Sequence, residues 1–248
     1  MELQVIGTGS SGNAYALHAG GETLLLDAGL PVKTIIRALP EWQEIVGCLV
    51  THEHGDHAKS AYELAALGIS VYSSAGTVEA IPMHSNLTQL NALRAREALR
   101  VGSFTVIPFE TEHDALEPFG FLVRYNPTGE TLLYATDTYY LRHTFPGINY
   151  WVVECNYVDE IIDEQTEEGT LSPALRMRLK KSHMSLRRLA DALKANDLST
   201  TRAIVLVHLS DERSDEGLMV RVIQKVSGIE NVTAACSGMK IPLELTPF

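Results

Sequence analysis

The sequence predicts a layered α/β protein. Short apolar runs alternate with helical segments along the 248 residues, and uninterrupted apolar runs suit strands covered on both faces. Polar residues able to bind or catalyse recur where such runs end: Asp27, His52, His113, Asp137 and His208. Layered α/β folds build their sites at strand ends, where a rigid scaffold hands over to loops.

The elements follow in chain order. Leu3-Gln4-Val5-Ile6 alternates as a strand does and runs into Gly7-Thr8-Gly9-Ser10-Ser11-Gly12-Asn13, a glycine- and serine-rich turn. Thr23-Leu24-Leu25-Leu26 is a buried strand ending at Asp27-Ala28-Gly29, and Cys48-Leu49-Val50 is another. Beyond it, Ala61, Leu64, Ala65 and Gly68 share one helical face. Phe104–Ile107, Gly120–Val123, Thr131–Tyr134, Trp151–Glu154 and Ala203–Val207 are further strands. Ser185 is a natural N-cap for a helix whose Leu186, Leu189, Ala190 and Leu193 recur at helical spacing. The acidic stretch Asp159–Glu168 reads as a solvated loop or helix. With no linker, repeat or low-complexity segment, residues 1–248 are expected to form a single domain.

Composition narrows the class. Hydrophobic content of 45% and charged content of 21% fit a soluble globular protein. No apolar stretch reaches the roughly 20 residues needed to span a bilayer, and Met1-Glu2-Leu3-Gln4 does not begin a signal peptide. Cys48, Cys155 and Cys236 are far apart and in apolar settings, which predicts buried free thiols instead of a disulfide framework. A cytoplasmic protein is expected. The net charge of −11 argues against a long nucleic-acid groove, because such affinity rests on Lys and Arg neutralising phosphates. The basic residues cluster at Arg176, Arg178, Lys180, Lys181, Arg187 and Arg188.

The chemistry concentrates in Thr51-His52-Glu53-His54-Gly55-Asp56-His57-Ala58. Three imidazoles and a carboxylate this close cannot all face a core, since each is costly to bury unpaired. Imidazole nitrogens with carboxylate oxygens are what a borderline dication such as zinc selects. In an extended or turning segment His52 and His54 point to one side. A tight turn at Gly55 then lets Asp56 and His57 reach a second point, so one loop can serve two metal ions.

His-x-His-x-Asp-His after a buried strand resembles the signature loop of the metallo-β-lactamase-fold hydrolases. That resemblance implies a four-layer αββα sandwich, two mixed sheets face to face with helices outside. It also implies two divalent ions, Zn2+ or Mn2+. His52, His54 and His113 would hold one ion, Asp56, His57 and His208 the other, with Asp137 and a water or hydroxide bridging both. Asp27 matches the family's first motif, whose aspartate orients the metal loop; a helix-capping role is equally compatible. Glu154 and His183, lying between Asp137 and His208, resemble the transfer-RNA-processing endonucleases of the superfamily, where a glutamate holds a histidine that protonates the leaving oxygen. His183 as an exposed residue before a helix is the plain alternative, and the two His-x-Ser segments leave the roles of His183 and His208 open to exchange. Gly9-Ser10-Ser11-Gly12-Asn13, His113-Asp114-Ala115, Pro118 and Gly120-Phe121 are most similar to the small stand-alone, nuclease-like YycJ or WalJ branch.

The implied activity is a dinuclear-metal-dependent phosphodiesterase, a DNA or RNA nuclease, with His183, Glu154 and Asp56 as catalytic groups. The backbone amides of Ser10–Asn13 could hold a substrate oxygen. The alternatives are a phosphodiesterase of small cyclic nucleotides and a metal-binding regulatory protein without turnover. No membrane partner is expected, and a homodimer is compatible. His18, His84 and His143 match no motif and read as structural or exposed.

Overall fold

The computed structural model describes residues 1–82 and 88–243; His84 lies outside them. Its strands form two mixed sheets of seven, flanked by helices, the α/β class expected. The chain clusters into two compact units, one made of residues 1–110, 115–130 and 236–248, the other of residues 111–114 and 131–235.

The first unit begins with β1 (Glu2–Gly7), β2 (Ala14–Ala19) and β3 (Glu22–Leu26), all antiparallel neighbours. Ala19 pairs with Glu22 across Gly20 and Gly21, whose φ values are +59° and +81°. A two-residue hairpin with both central residues left-handed matches the right-handed twist of its strands, and glycine meets that demand without strain. After helix α1 (Val32–Ala38), β4 (Ile45–Leu49) pairs with β3 in parallel. Helices α2 (Gly55–Ala58) and α3 (Ala61–Ala66) follow, then β5 (Val71–Ser74), α4 (Ala75–Ala80) and β6 (Leu90–Leu93), with β14 (Lys240–Pro242) on the outer side of β1. Ala61, Leu64 and Ala65 face the core as their spacing predicts, but α3 ends before Gly68, whose φ of +88° takes the chain out of the helix. The core of this sheet gathers Ala16, Leu25, Ile35, Cys48, Val50 and Leu64. The unit also holds β7 (Leu99–Val101), β8 (Phe104–Glu110) and β9 (Phe119–Tyr125), an antiparallel set.

The second unit carries four parallel strands, β10 (Thr131–Ala135), β11 (Tyr150–Glu154), β12 (Ala203–Val207) and β13 (Val232–Ala234). Every residue of β11 and β12 is buried, which explains their unbroken apolar runs. Helices α5 (Asp159–Glu167), α6 (Pro173–Ser182), α7 (Leu186–Lys194) and α8 (Glu216–Ser227) complete it. The acidic stretch is therefore a helix, with Ile162 fully buried. Ser185 accepts a hydrogen bond from Arg188 N and caps α7, whose Leu186, Leu189, Ala190 and Leu193 are buried as predicted. Cys48 and Cys155 are buried free thiols, but Cys236 is exposed. It follows β13 in a connection to β14, where no strand neighbour covers it.

Gly29 tests how tightly the first unit is built. A Cβ there would lie 1.7 Å from the Asp56 carbonyl oxygen and 2.2 Å from its carbon. Gly29→Ala is expected to displace the segment around Asp56 and cost about 1–3 kcal/mol, as overpacking does. Urea denaturation checks it; a wild-type midpoint would show that the backbone contact yields without cost.

Candidate functional site

In the first unit, β4 delivers Thr51, His52, Glu53 and His54 in sequence, and His54 then caps α2 with extended backbone (φ −59°, ψ 146°). Gly55 is the first residue of this helical turn; the tight turn expected there does not form. Asp56 and His57 project from this turn of helix, and the His57 ring lies 4.3 Å from that of His52, centre to centre.

Asp27 organises this segment. It is fully buried, and a buried carboxylate is tolerable only when hydrogen-bonded. Oδ1 accepts from Thr51 N at 2.8 Å and Thr51 Oγ1 at 3.0 Å, and Oδ2 lies 2.8 Å from His57 Nδ1. The loop-orienting role is thus the one realised; the first helix starts at Val32 with Pro31 as its cap. Protons can now be assigned. Asp27 Oδ2 accepts Nδ1–H of His57, which leaves the lone pair on Nε2. Thr51 Oγ1 gives its proton to Asp27 and so accepts from His52 Nδ1 at 3.0 Å, leaving the lone pair of His52 on Nε2 as well. A carboxylate or hydroxyl behind the far nitrogen is how metal-binding histidines are oriented.

Sequence reasoning missed the orienting role of Thr51 and offered the Ser10–Asn13 amides to a substrate oxygen, but the Asn13 and Gly12 amides are engaged within the protein, with the carbonyls of Asp56 and Gly9. Asn13 is fully buried; its backbone N donates to the Asp56 carbonyl at 2.7 Å, and its side-chain nitrogen lies 3.1 Å from His57 Nε2. The glycine-serine turn therefore braces the histidine segment, and its Gly12 amide bonds to Gly9 O. The signals were present, an Asn closing a Gly-Ser turn and a Thr preceding the first His.

In the second unit the donors gather at the ends of β10, β11 and β12. Asp137 Oδ2 lies 3.5 Å from His113 Nε2, and its Oδ1 contacts His208 Nδ1. Glu154 is fully buried. Its Oε1 lies 2.7 Å from His183 Nδ1 and 2.9 Å from His208 Nδ1, and its Oε2 accepts from the backbone N–H groups of Thr138 and Met184, each at 3.0 Å. Asp137, Glu154, His183 and His208 each offer a ligand atom within 4.8 Å of the others. His113 donates from Nδ1 to the Ser182 carbonyl at 2.8 Å, which again leaves Nε2 as the basic nitrogen.

The three imidazoles differ in protonation. Burial lowers His113, outweighing the pull of Asp137, and keeps it neutral as a ligand requires. Burial opposes the charge on His183 as well, but Glu154 raises it. His208 is pushed up to about 10, burial being overcome by Asp137 and Glu154. Glu154 itself is lowered: burial would raise it, but His183 and the hydrogen bonds of His183 and His208 prevail. A cation at Asp137 would replace the proton that these carboxylates otherwise draw onto His208.

The donors fit divalent metal in kind and spacing. His52 Nε2 and His54 Nδ1 face each other at 3.1 Å. Two nitrogens bound tetrahedrally to zinc at about 2.0–2.1 Å stand about 3.3 Å apart. Of the sequence-predicted residues, His52, His54, Asp56 and His57 belong to the first unit, and His113, Asp137, Glu154, His183 and His208 to the second. His18 is structural, lying 2.9 Å from Thr23 Oγ1 and 3.1 Å from Gln4 Oε1, and His143 is half-buried.

Residues 22–209 match the family described as the beta-lactamase superfamily domain. Exodeoxyribonuclease WalJ of Streptococcus pneumoniae is 27% identical over 229 residues, covering 86% of this chain and 83% of that protein. Exodeoxyribonuclease YycJ of Bacillus anthracis is 28% identical over 224 residues, covering 85% and 83%. Among solved structures, the metallo-beta-lactamase fold protein YhfI of Bacillus subtilis superposes with a TM-score of 0.74 at 17% identity, over 96% of this chain and 98% of that one.

Asp27→Asn is the direct test of the orienting carboxylate. An amide can present its nitrogen to His57 Nδ1 and reverse the tautomer. Affinity for zinc, measured by competition with a chromophoric chelator, is expected to fall about 10–100-fold. Unchanged affinity in a folded variant would remove Asp27 from this role.

Proposed function

The chain belongs to the beta-lactamase superfamily and is a metal-dependent hydrolase, and from that premise we propose that it is a phosphodiesterase acting on nucleic acid, DNA in the first place. The observation that carries the reading is the Glu154–His183 pair. A fully buried carboxylate holds Nδ1 of a histidine whose side chain remains one-fifth exposed. The imidazole is thereby oriented and charged, with its second proton, on Nε2, available to a leaving group. Such a donor matters when the leaving oxygen is an alkoxide, as in a sugar-phosphate chain, and matters little for a thiolate, which departs without a proton. The exodeoxyribonuclease names of WalJ and YycJ support the same substrate class.

His52, His54 and His113 are the proposed ligands of one divalent ion, Asp56, His57 and His208 those of a second, with Asp137 shared. The donor chemistry accommodates zinc or manganese. When bound, such ions acidify water and neutralise the attacked phosphate. The residues do the rest. Asp27 and Thr51 fix the tautomers of His57 and His52, and the Ser182 carbonyl fixes that of His113. Water adds to phosphorus, the bond to the leaving oxygen breaks, and His183 gives that oxygen its Nε2 proton. Asp56 is the proposed acceptor of the proton lost by the water. His208 is the ligand and His183 the acid in this assignment because His208 contacts Asp137 and is nearly inaccessible, whereas His183 is the more exposed.

Purified protein supplied with manganese or zinc, offered linear single- and double-stranded DNA, RNA, cyclic nucleotides and bis-p-nitrophenyl phosphate, tests the reading. Hydrolysis of DNA is expected. Cleavage of cyclic nucleotides alone would make it a small-molecule enzyme, and no turnover with metal bound would leave a regulatory protein.

Two variants test the roles. His183→Ala should retain metal while losing about 10²–10⁴-fold in turnover on DNA, the range for a general acid. The loss should shrink on bis-p-nitrophenyl phosphate, whose nitrophenolate barely needs a proton. If His183→Ala strips metal, the roles of His183 and His208 are exchanged. Asp137→Ala should lose at least one ion per chain by elemental analysis; full retention would deny it a bridging role.

A further inference from the structure

The basic cluster evident in the sequence is largely neutralised in the fold. Arg176 and Lys180 pair with Asp163, Arg178 with Asp114 and Arg187 with Glu160. Arg188 differs. Its guanidinium donates to the carbonyls of Lys180 at 2.6 Å and Tyr139 at 3.2 Å, and its carbon lies 5.1 Å from the centre of the Tyr139 ring. It is half-buried among carbonyls and an aromatic face, so its charge is oriented without being cancelled.

Arg188 lines a cleft of about 380 Å³ within the second unit, together with Tyr140, Leu141, Arg142, His143 and Asp191. Of the charged residues lining it, Asp191 pairs with Lys194 and Arg142 with Glu112, whereas Arg188 donates to carbonyls. Tyr140 is 53% exposed, an aromatic left in solvent that lines the same cleft as Arg188. The segment is tied to the candidate site by its backbone. Thr138 N donates to Glu154 Oε2 at 3.0 Å, Thr138 Oγ1 donates to the Tyr140 carbonyl at 2.8 Å, and Tyr139 N donates to the Glu112 carbonyl at 3.1 Å. Tyr140 follows Asp137 by three residues, so their Cα atoms are at most about 11 Å apart. That places the cleft within reach of nucleotides next to a bond held near Asp137.

Resting on the nuclease reading above, we propose that this cleft is a subsite for single-stranded DNA flanking the scissile bond, with a base stacked on Tyr140 and a phosphate held by Arg188. Stacking needs the flat face of an unpaired base and tolerates any base, because every base has a π-face. A guanidinium fits a phosphate in two-point geometry. The pairing also fits the acidic chain, since one uncancelled cation beside an aromatic ring secures a strand end without an extended basic groove.

Fluorescence anisotropy with a short fluorescein-labelled single strand, in EDTA to prevent cleavage, tests the cleft without turnover. Tyr140→Ala is expected to weaken binding about 5- to 100-fold, the range that loss of one base–aromatic stack gives, while Tyr140→Phe binds as wild type. Arg188→Gln is expected to lower the slope of log affinity against log salt by about 0.7, one phosphate contact on a single strand. With manganese, Tyr140→Ala should lose more in kcat/KM on the strand than on bis-p-nitrophenyl phosphate, which is too small to reach the cleft. Tyr140→Leu keeps the apolar area without the π-face and carries the test if the alanine variant unfolds. Wild-type affinity in a folded Tyr140→Ala, or no single-strand binding by the wild type, overturns the subsite. A wild type that hydrolyses no phosphodiester defeats the nuclease reading instead, and Tyr140-dependent binding would still support the cleft.

Discussion

The second unit depends on one buried carboxylate. Glu154 ends a strand with every residue buried, and its two oxygens receive four donors: Nδ1 of His183 and His208, and the backbone N–H groups of Thr138 and Met184. Those donors come from three separate stretches of chain, the turn after β10, the connection between α6 and α7, and the end of β12. Removing one partner of such a buried charged network typically costs about 3–5 kcal/mol, because the remaining charge is left uncompensated. The same contacts orient both imidazoles. Folding and site-building are therefore one set of hydrogen bonds here, and a change at Glu154 cannot separate them.

Asp27 has the corresponding place in the first unit, and the two share a backbone device. Asp27, Asp137 and His208 have φ values of +60°, +48° and +54°, and each stands within two residues of a strand's end. A left-handed residue outside glycine costs about 1–3 kcal/mol and persists where its surroundings determine it. Here the surroundings are the hydrogen bonds each side chain makes. The reversal turns the chain at the strand's end, where each of these polar side chains makes its contacts. Asp is among the residues that tolerate this conformation best; His208 is held by Asn156, whose side-chain nitrogen donates to its carbonyl at 2.8 Å.

Charge in this chain is arranged locally. A net charge of −11 sets a repulsive background for polyanions, and most cations of α6 and α7 are matched with carboxylates of α5 or with Asp114. Under the proposed reading, the positive potential for a phosphate would come from divalent metal and from cations such as Arg188 that face carbonyls.

The sequence by itself determined the class of fold and showed imidazole and carboxylate residues recurring where apolar strands end. Apolar runs buried on both faces dictate central strands, and three imidazoles with a carboxylate in residues 52–57 point to metal chemistry, since such groups are costly to bury unpaired. The capping of α7 by Ser185 was equally legible, because it depends on bonds within four residues. What only the tertiary structure decided involves partners distant in sequence or backbone angles that side-chain type does not set. Asn13 and Thr51 became visible as orienting residues once Asp27, Thr51 and His57 were seen to share protons across 30 residues. Gly55 opening a helical turn, the exposure of Cys236, and the neutralisation of the basic cluster by Asp114, Asp159, Glu160 and Asp163 likewise required the packed neighbours. A pattern of residues states which chemistry is available; distances across the fold state which nitrogen carries the proton.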